Sequence, residues 1–515
     1  MKVIWAVIGA VRRRRTIFMS EFLVGVDQNH GNVTDLQEFS DENAAFDRIT
    51  ALYEENVEKI KTRFSEFEAG DRTSPADPAY YPYLGLTVES TDINRTGKRS
   101  YGKIDAAGTF GATLTQPKLF ESYYKEQIRL ILKNHQRPIY VGLSDRSMPL
   151  PFVIESASSD VSANDIPALQ AIFTMPDLAN INDSIANGTY VPVEGMPRPL
   201  ALFTAERVDY SLARLSHYTG TVPEHFQRFV LFTNYQRYVD EFIDYGKKQV
   251  LEGSEYRAFV EPGNVVTPNP KLTGEPASGI APSHLPQMPA YHLVGEKHMG
   301  ITLVNIGVGP SNAKTITDHI AVLRPHCWLM VGHCGGLRHT QRLGDFVLAH
   351  AYVREDHVLD EDIHSSVPLP AIAEIQVALT EAVARAADVS TGGSDIKEHF
   401  RTGTVYTTDD RDWELRHKEL AVRFNQSRAI AVDMESATIA ANGFRFRVPY
   451  GTFLCVSDKP IHGEIKLPGM ANKFYEGRTA KHLHIGIDTL QQLRLRGVES
   501  LHSRKLRSFD EPAFR

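Results

Sequence analysis

Two acidic residues, each closing a short apolar run, are the first candidates for chemistry. Asp458 ends the string Cys455-Val456-Ser457-Asp458-Lys459, where an apolar strand gives way to a polar turn. A carboxyl group there either acts as a general acid or caps the turn that follows. Glu435 lies in Asp433-Met434-Glu435-Ser436-Ala437, between an apolar strand (429–432) and a small-residue helix (437–443). Asp433 and Glu435 read either as caps of that helix or, for Glu435, as an acceptor for the vicinal hydroxyls of a sugar. A third candidate is Gly307-x-Gly309-x-x-x-Ala313, whose glycines let backbone N–H groups approach an anion at a helix N-terminus. The same string also reads as a plain tight turn. It lacks the third glycine and the downstream acid of a dinucleotide fingerprint.

These side chains need a scaffold. The apolar runs 301–308 and 327–331 both end in glycines, and a helix starting at Ser311 or Asn312 lies between them. That pattern predicts a βαβ crossover with the two strands parallel and side by side, their glycine turns at one sheet edge. Further strands are expected at 229–232, 345–353, 403–408, 429–432 and 451–456, with helices at 238–250 and after Glu476. The Pro-, Gly- and Ser-rich stretch 261–285 reads as an exposed loop or flap. Alternating strands and helices predict an α/β domain around a mostly parallel or mixed sheet.

The preceding part reads differently. Phe46, Ile49, Tyr53, Val57, Ile60, Phe64 and Phe67 recur in steps of three and four, and Ser40 or Asp41 is placed to cap their helix. Strands are expected at 84–89, 109–115, 139–143 and 152–155, and a helix at 119–132. The expected organisation is a leader at 1–40, an N-terminal α+β domain at 41–197 ending in Pro197-Arg198-Pro199, and an α/β domain at 198–515. Residues 1–18 look dispensable. Their apolar stretch precedes the arginine run, the reverse of a secretory signal, and is too short to span a bilayer.

Composition narrows the classes. A chain of 515 residues with 42% hydrophobic and 23% charged residues suits a soluble protein of two or three domains. The net charge of −7 argues against nucleic acid as a partner, and no membrane partner is expected. The 3 cysteines, Cys327, Cys334 and Cys455, sit in apolar or glycine-rich runs, which suits a reducing cytosol without a disulfide framework. His326, His333, His339, His350, His357 and His364 show no metal-ligand spacing, so no metal is expected.

Taken in order, 229–237, GVGPSNA (307–313), GHCGGL (332–337), VDMES (432–436) and VSD (456–458) resemble the motifs of the nucleoside phosphorylase/nucleosidase superfamily. Longer strings, including 207–221, 433–452 and 455–469, are similar to the branch that carries an extra N-terminal domain and cleaves AMP. The resemblance implies a nucleoside phosphorylase-like mixed central sheet flanked by helices. It implies hydrolysis of the N-glycosidic bond of AMP to adenine and ribose 5-phosphate, within purine salvage and control of the AMP pool. In that role Asp458 serves purine N7, Glu435 and Met434 hold the ribose, and Gly309 and Gly335 floor the sugar site, with Asp433 and Ser457 beside the two carboxylates. Phosphorylases place an arginine and a serine where Met330 and His333 stand here, a departure that favours water over phosphate as nucleophile. Arg237 matches a phosphate-binding arginine, and with Arg411 and Lys459 it is a candidate for the substrate's 5′-phosphate. Trp413 either stacks on adenine or belongs to the core. The resemblance further implies a homohexamer, no tightly bound cofactor, activation by Mg-ATP and inhibition by phosphate, with the N-terminal domain as the regulatory element. Two other readings remain open at this point: a purine nucleoside phosphorylase, and a non-catalytic nucleotide sensor.

Overall fold

A computed structural model describes residues 30–93, 101–154, 163–253, 255–274, 276–465, 470–501 and 506–515. These divide after Tyr210 into two compact units, with Pro512–Arg515 belonging to the first. Among the described residues no helix is long and apolar enough to cross a membrane. No cluster of His, Cys, Asp or Glu among them is placed to hold a metal ion.

The first unit is built on a 5-stranded sheet in the order β1-β4-β2-β3-β5. Its strands are β1 (Thr34–Phe39), β2 (Tyr80–Val88), β3 (Gly108–Thr113), β4 (Ile139–Ser147) and β5 (Arg198–Pro199). Helices α1 (Glu42–Glu68) and α2 (Pro117–His135) contact each other, and α1 also packs on β2 and β4. Asp41 caps α1 as expected, accepting from the N–H groups of Asn43 and Ala44 at 3.0 and 2.9 Å. The buried face of α1 includes Phe46, Ile49, Ile60, Phe64 and Phe67, while Tyr53 and Val57 lie at its edge.

Three sequence expectations need correction here. The leader assigned to 1–40 is too long, because 34–39 form β1, paired antiparallel with β4; residues 1–18 lie outside the described residues. The strand expected at 152–155 is absent from the described residues 152–154, where a 3-10 turn runs over Leu150–Phe152, and residue 155 lies outside the described residues. Pro149 and Pro151 offer no N–H to a ladder there. The proline string at 197–199, expected to close the domain, instead contributes β5, parallel to β3, inside the first unit.

One buried carboxyl couples this unit to pH. Asp209 accepts hydrogen bonds from the hydroxyls of Tyr81 and Thr115, both at 2.7 Å. Burial outweighs both bonds and pushes Asp209 up to about 7. A carboxyl whose folded pKa is raised stabilises the fold below its unfolded pKa, and that contribution is lost as pH rises through the folded value. Stability of the wild type should therefore fall between pH ~4 and ~7 with a slope of up to about 1.4 kcal/mol per unit from this group. Asp209→Asn is expected to remove that slope; thermal melts across the window that keep it would assign the dependence elsewhere.

The second unit contains a 10-stranded mixed sheet in the order β14-β13-β12-β15-β11-β6-β10-β9-β7-β8. The strands nearest the candidate residues are β6 (Phe229–Thr233), β10 (Ile301–Asn305), β11 (Cys327–Gly336), β12 (Phe346–Glu355), β13 (Phe400–Thr408), β14 (Ala431–Asp433) and β15 (Tyr450–Asp458). The other edge consists of β7 (Ala258–Glu261), β8 (Val265–Pro268) and β9 (Ala290–Val294). Helix α3 (Ala205–Thr219) contains the division at Tyr210, and the helices of the second unit include α4 (Gln236–Glu252), α5 (Pro310–Ile320), α6 (Ala373–Ala387), α7 (His417–Ser427), α8 (Ser436–Phe446) and α9 (Met470–Leu495).

Strand β11 organises this sheet. Its residues 327–330 pair with β6, 328–335 pair with β15, and Gly335 and Gly336 pair antiparallel with β14. The last pairing closes β14, β13, β12, β15 and β11 into a ring of strands. The crossover drawn from the glycine runs is therefore parallel but not adjacent: β6 lies between β10 and β11 and bonds to both. The stretch 261–285 is not wholly loop, since β8 forms a hairpin with β7.

Candidate functional site

Glu435 is the meeting point of several turns. It follows β14, is 1% exposed, and faces two donors. Its Oε1 accepts the backbone N–H of Gly309 at 2.7 Å, and its Oε2 accepts the side-chain amide of Asn234 at 3.0 Å. Gly309 stands where β10 empties into α5, and Asn234 directly follows β6. Three chain segments far apart in sequence thus converge on one carboxylate. Gly309 has φ +114°, a conformation that side-chain-bearing residues rarely adopt, at the point where its N–H meets Glu435.

Burial, followed by the negative charge of Asp433, raises the pKa of Glu435 above the ordinary carboxylate range. Asp433 itself has both oxygens engaged. Thr407 Oγ1 donates to Oδ1 at 2.6 Å, and the N–H of Ser436 donates to Oδ2 at 2.9 Å, together with the Ser436 hydroxyl. Asp433 therefore shapes the strand-to-helix turn, the capping role left open by the sequence, and adds negative potential beside Glu435.

Asp458 ends β15 in register with Gly335, whose other neighbour is Val432 of β14. Asp458 and the turn carrying Glu435 are thus set on either side of one glycine, at the same edge of the sheet. Ser457 Oγ lies 2.6 Å from Asp458 Oδ1 and 3.4 Å from the carbonyl of Cys334, which fixes the carboxyl on the strand end. Asp458 also contributes to raising Glu414, whose main cause is burial.

The remaining candidates separate into groups. His333 is buried in a polar chain: its Nε2 lies 3.1 Å from Tyr238 Oη, which lies 2.7 Å from His482 Nδ1. Burial pushes His482 down to about 3, so that ring stays neutral. The ring of Tyr235 meets His333 edge-on at 4.4 Å between centroids. Met330 is fully buried and faces Phe232 across the β11–β6 pairing. Arg237 and Arg411 are exposed, Arg237 in the first turn of α4. Lys459 is buried and its ammonium pairs with Glu464 at 2.5 Å. Trp413 belongs to a core with Leu337, Tyr406, Leu420, Phe424 and Val432. The sequence reading missed Asn234, Tyr238 and His482; only Asn234 left a signal, a polar amide directly behind a fully apolar strand.

Carboxylates and glycine turns gathered at one edge of a mixed α/β sheet are the arrangement expected of the phosphorylase superfamily. Residues 291–473 match that family, described as "Phosphorylase superfamily". Residues 44–197 match "Bacterial AMP nucleoside phosphorylase N-terminus". The chain is 50% identical over 479 residues to the AMP nucleosidase of Escherichia coli (strain K12), covering 92% of this chain and 98% of that one. It is 25% identical over 178 residues to a guanosine phosphorylase of Halorubrum lacusprofundi, covering 34% of this chain and 69% of that one. A solved AMP nucleosidase from Bacteroides thetaiotaomicron VPI-5482 matches with a TM-score of 0.40 and 28% identity, covering 56% of this chain and 98% of that one. The chain belongs to the AMP nucleosidase family.

Proposed function

We infer that the protein hydrolyses the N-glycosidic bond of AMP, releasing adenine and ribose 5-phosphate. The observation that carries this reading is Glu435, a buried carboxylate held by Gly309 and Asn234 on the edge where Asp458 ends β15. Cleaving a purine N-glycosidic bond builds positive charge on the ribose and negative charge on the base. Glu435 meets the sugar hydroxyls and favours the cationic ring. Asp458, oriented by Ser457, supplies a proton or hydrogen bond to purine N7, so that adenine leaves as a neutral base. Met434, the turn at Gly309 and Gly335 at the end of β11 line the sugar side.

Water is the nucleophile in this reading. Met330, at a position where phosphorylases carry an anion ligand, is apolar and fully buried. The 5′-phosphate needs a cation, and Arg237, Arg411 and Lys459 are the candidates, Lys459 with its ammonium on Glu464. The same reading carries a role in purine salvage, a homohexamer in the cytosol, activation by Mg-ATP and inhibition by phosphate. These rest on family resemblance, and for inhibition also on Arg237 as an anion site.

Incubation with AMP, adenosine, or adenosine plus phosphate, followed by chromatography, tests the reading. Adenine from AMP without added phosphate, and much less from adenosine, is the expected result. A requirement for phosphate would overturn it.

A further inference from the structure

We propose that Asn234 holds the attacking water, and that its amide oxygen selects water over phosphate as the nucleophile. The inference rests on the hydrolytic reading above and assigns the residue that reading lacks.

The geometry of the amide is unequal at its two ends. Asn234 Nδ2 donates to Glu435 Oε2 at 3.0 Å. With its NH2 end bonded to Glu435, the amide leaves its oxygen as the other end. Its Oδ1 is then turned away from Glu435, buried, and without a hydrogen-bond partner among the described residues. Oδ1 lies 3.4 Å from where a Cβ on Gly332 of β11 would stand. A buried amide oxygen left unsatisfied destabilises the site that holds it. Such an orphan at a reaction centre is accounted for when a reactant supplies the missing donor.

Only a donor fits that oxygen. Water presents an O–H to it; inorganic phosphate, chiefly an anion, presents mostly acceptor oxygens and is repelled. The Cε of Met330 lies 2.9 Å from the same Cβ position on Gly332, so an apolar methyl stands on that side of the amide oxygen. Because Asn234 also braces Glu435, the water and the ribose are referred to a single amide.

The step balances without a strong base. The C1′–N9 bond breaks with its electron pair leaving on adenine, which takes the proton of Asp458. The oxygen of the water oriented by Asn234 forms the new bond to the cationic C1′. Its surplus proton is released to solvent, from which Asp458 is recharged. Asn234 orients and takes no proton.

Partition between water and methanol tests this directly. Wild type, Asn234→Ala and Asn234→Ser are given AMP in phosphate-free buffer with a fixed fraction of methanol. Ribose 5-phosphate and methyl ribofuranoside 5-phosphate are then separated by 31P NMR. The expected result for Asn234→Ala is a turnover lower by about 10-fold or more, with the methyl product fraction rising severalfold. Asn234→Ser, which keeps an acceptor, should fall between it and the wild type. A slower variant with the wild-type methyl fraction would reduce Asn234 to a brace for Glu435 and overturn the proposal, as would variants unchanged in both readouts. Failure of the hydrolytic reading looks different: the wild type itself would release no adenine without phosphate.

Discussion

Replacing Asp458 with asparagine is expected to lower kcat for AMP cleavage by about 10²–10⁴-fold, the scale of a lost general acid. The side chain keeps its shape, and Ser457 can still bond to the remaining oxygen, so folding should be intact. The loss falls on kcat because N7 gains its proton only as the glycosidic bond breaks. A substrate with a better leaving group provides the internal check. A purine nucleotide whose base departs without protonation should be cleaved by Asp458→Asn at nearly the wild-type rate. Near-normal turnover of AMP itself would remove Asp458 from the role.

Glu435→Gln is expected to cost about 10²–10³-fold in kcat, comparable to losing one preorganised electrostatic contact with a developing charge. The amide cannot satisfy both donors that now point at the carboxylate, Gly309 N–H and Asn234 Nδ2. It also removes the negative charge that favours the cationic ribose. The accompanying stability change has a defined sign. The folded pKa of Glu435 is raised, so its contribution to stability is present below the unfolded value and lost as pH rises through the folded value. The uncharged glutamine has no such loss. Stability of the variant relative to wild type should therefore improve steadily as pH rises above the ordinary carboxylate range. A variant that loses activity while its relative stability stays flat with pH would contradict a buried, charge-costly Glu435.

The sequence carried much of this site because each motif lies at the end of an apolar run. GVGP follows β10, GHCGG ends β11, Asp433 ends β14 and Asp458 ends β15. Apolar runs ending in glycine or acid are what strands emptying into functional turns look like. Strand order was not legible, since nothing in the composition of 229–233 tells that it inserts between β10 and β11. The division of labour between Asp433 and Glu435 was also hidden. They are two residues apart in the same turn, and only the fold shows Thr407 and Ser436 taking one while Gly309 and Asn234 take the other. Asn234 escaped notice because its significance depends on a carboxylate some 200 residues away. The strand β8 was masked by the prolines and glycines around it and by its own Pro268, which an edge strand tolerates.

The reading stands or falls on the fate of the sugar. 31P NMR of wild type turning over AMP in buffer containing inorganic phosphate follows it directly. Hydrolysis predicts ribose 5-phosphate as the sole new phosphorus signal, with the inorganic phosphate resonance undiminished. Appearance of ribose 1,5-bisphosphate at the expense of inorganic phosphate would show that phosphate attacks C1′, and would contradict the account.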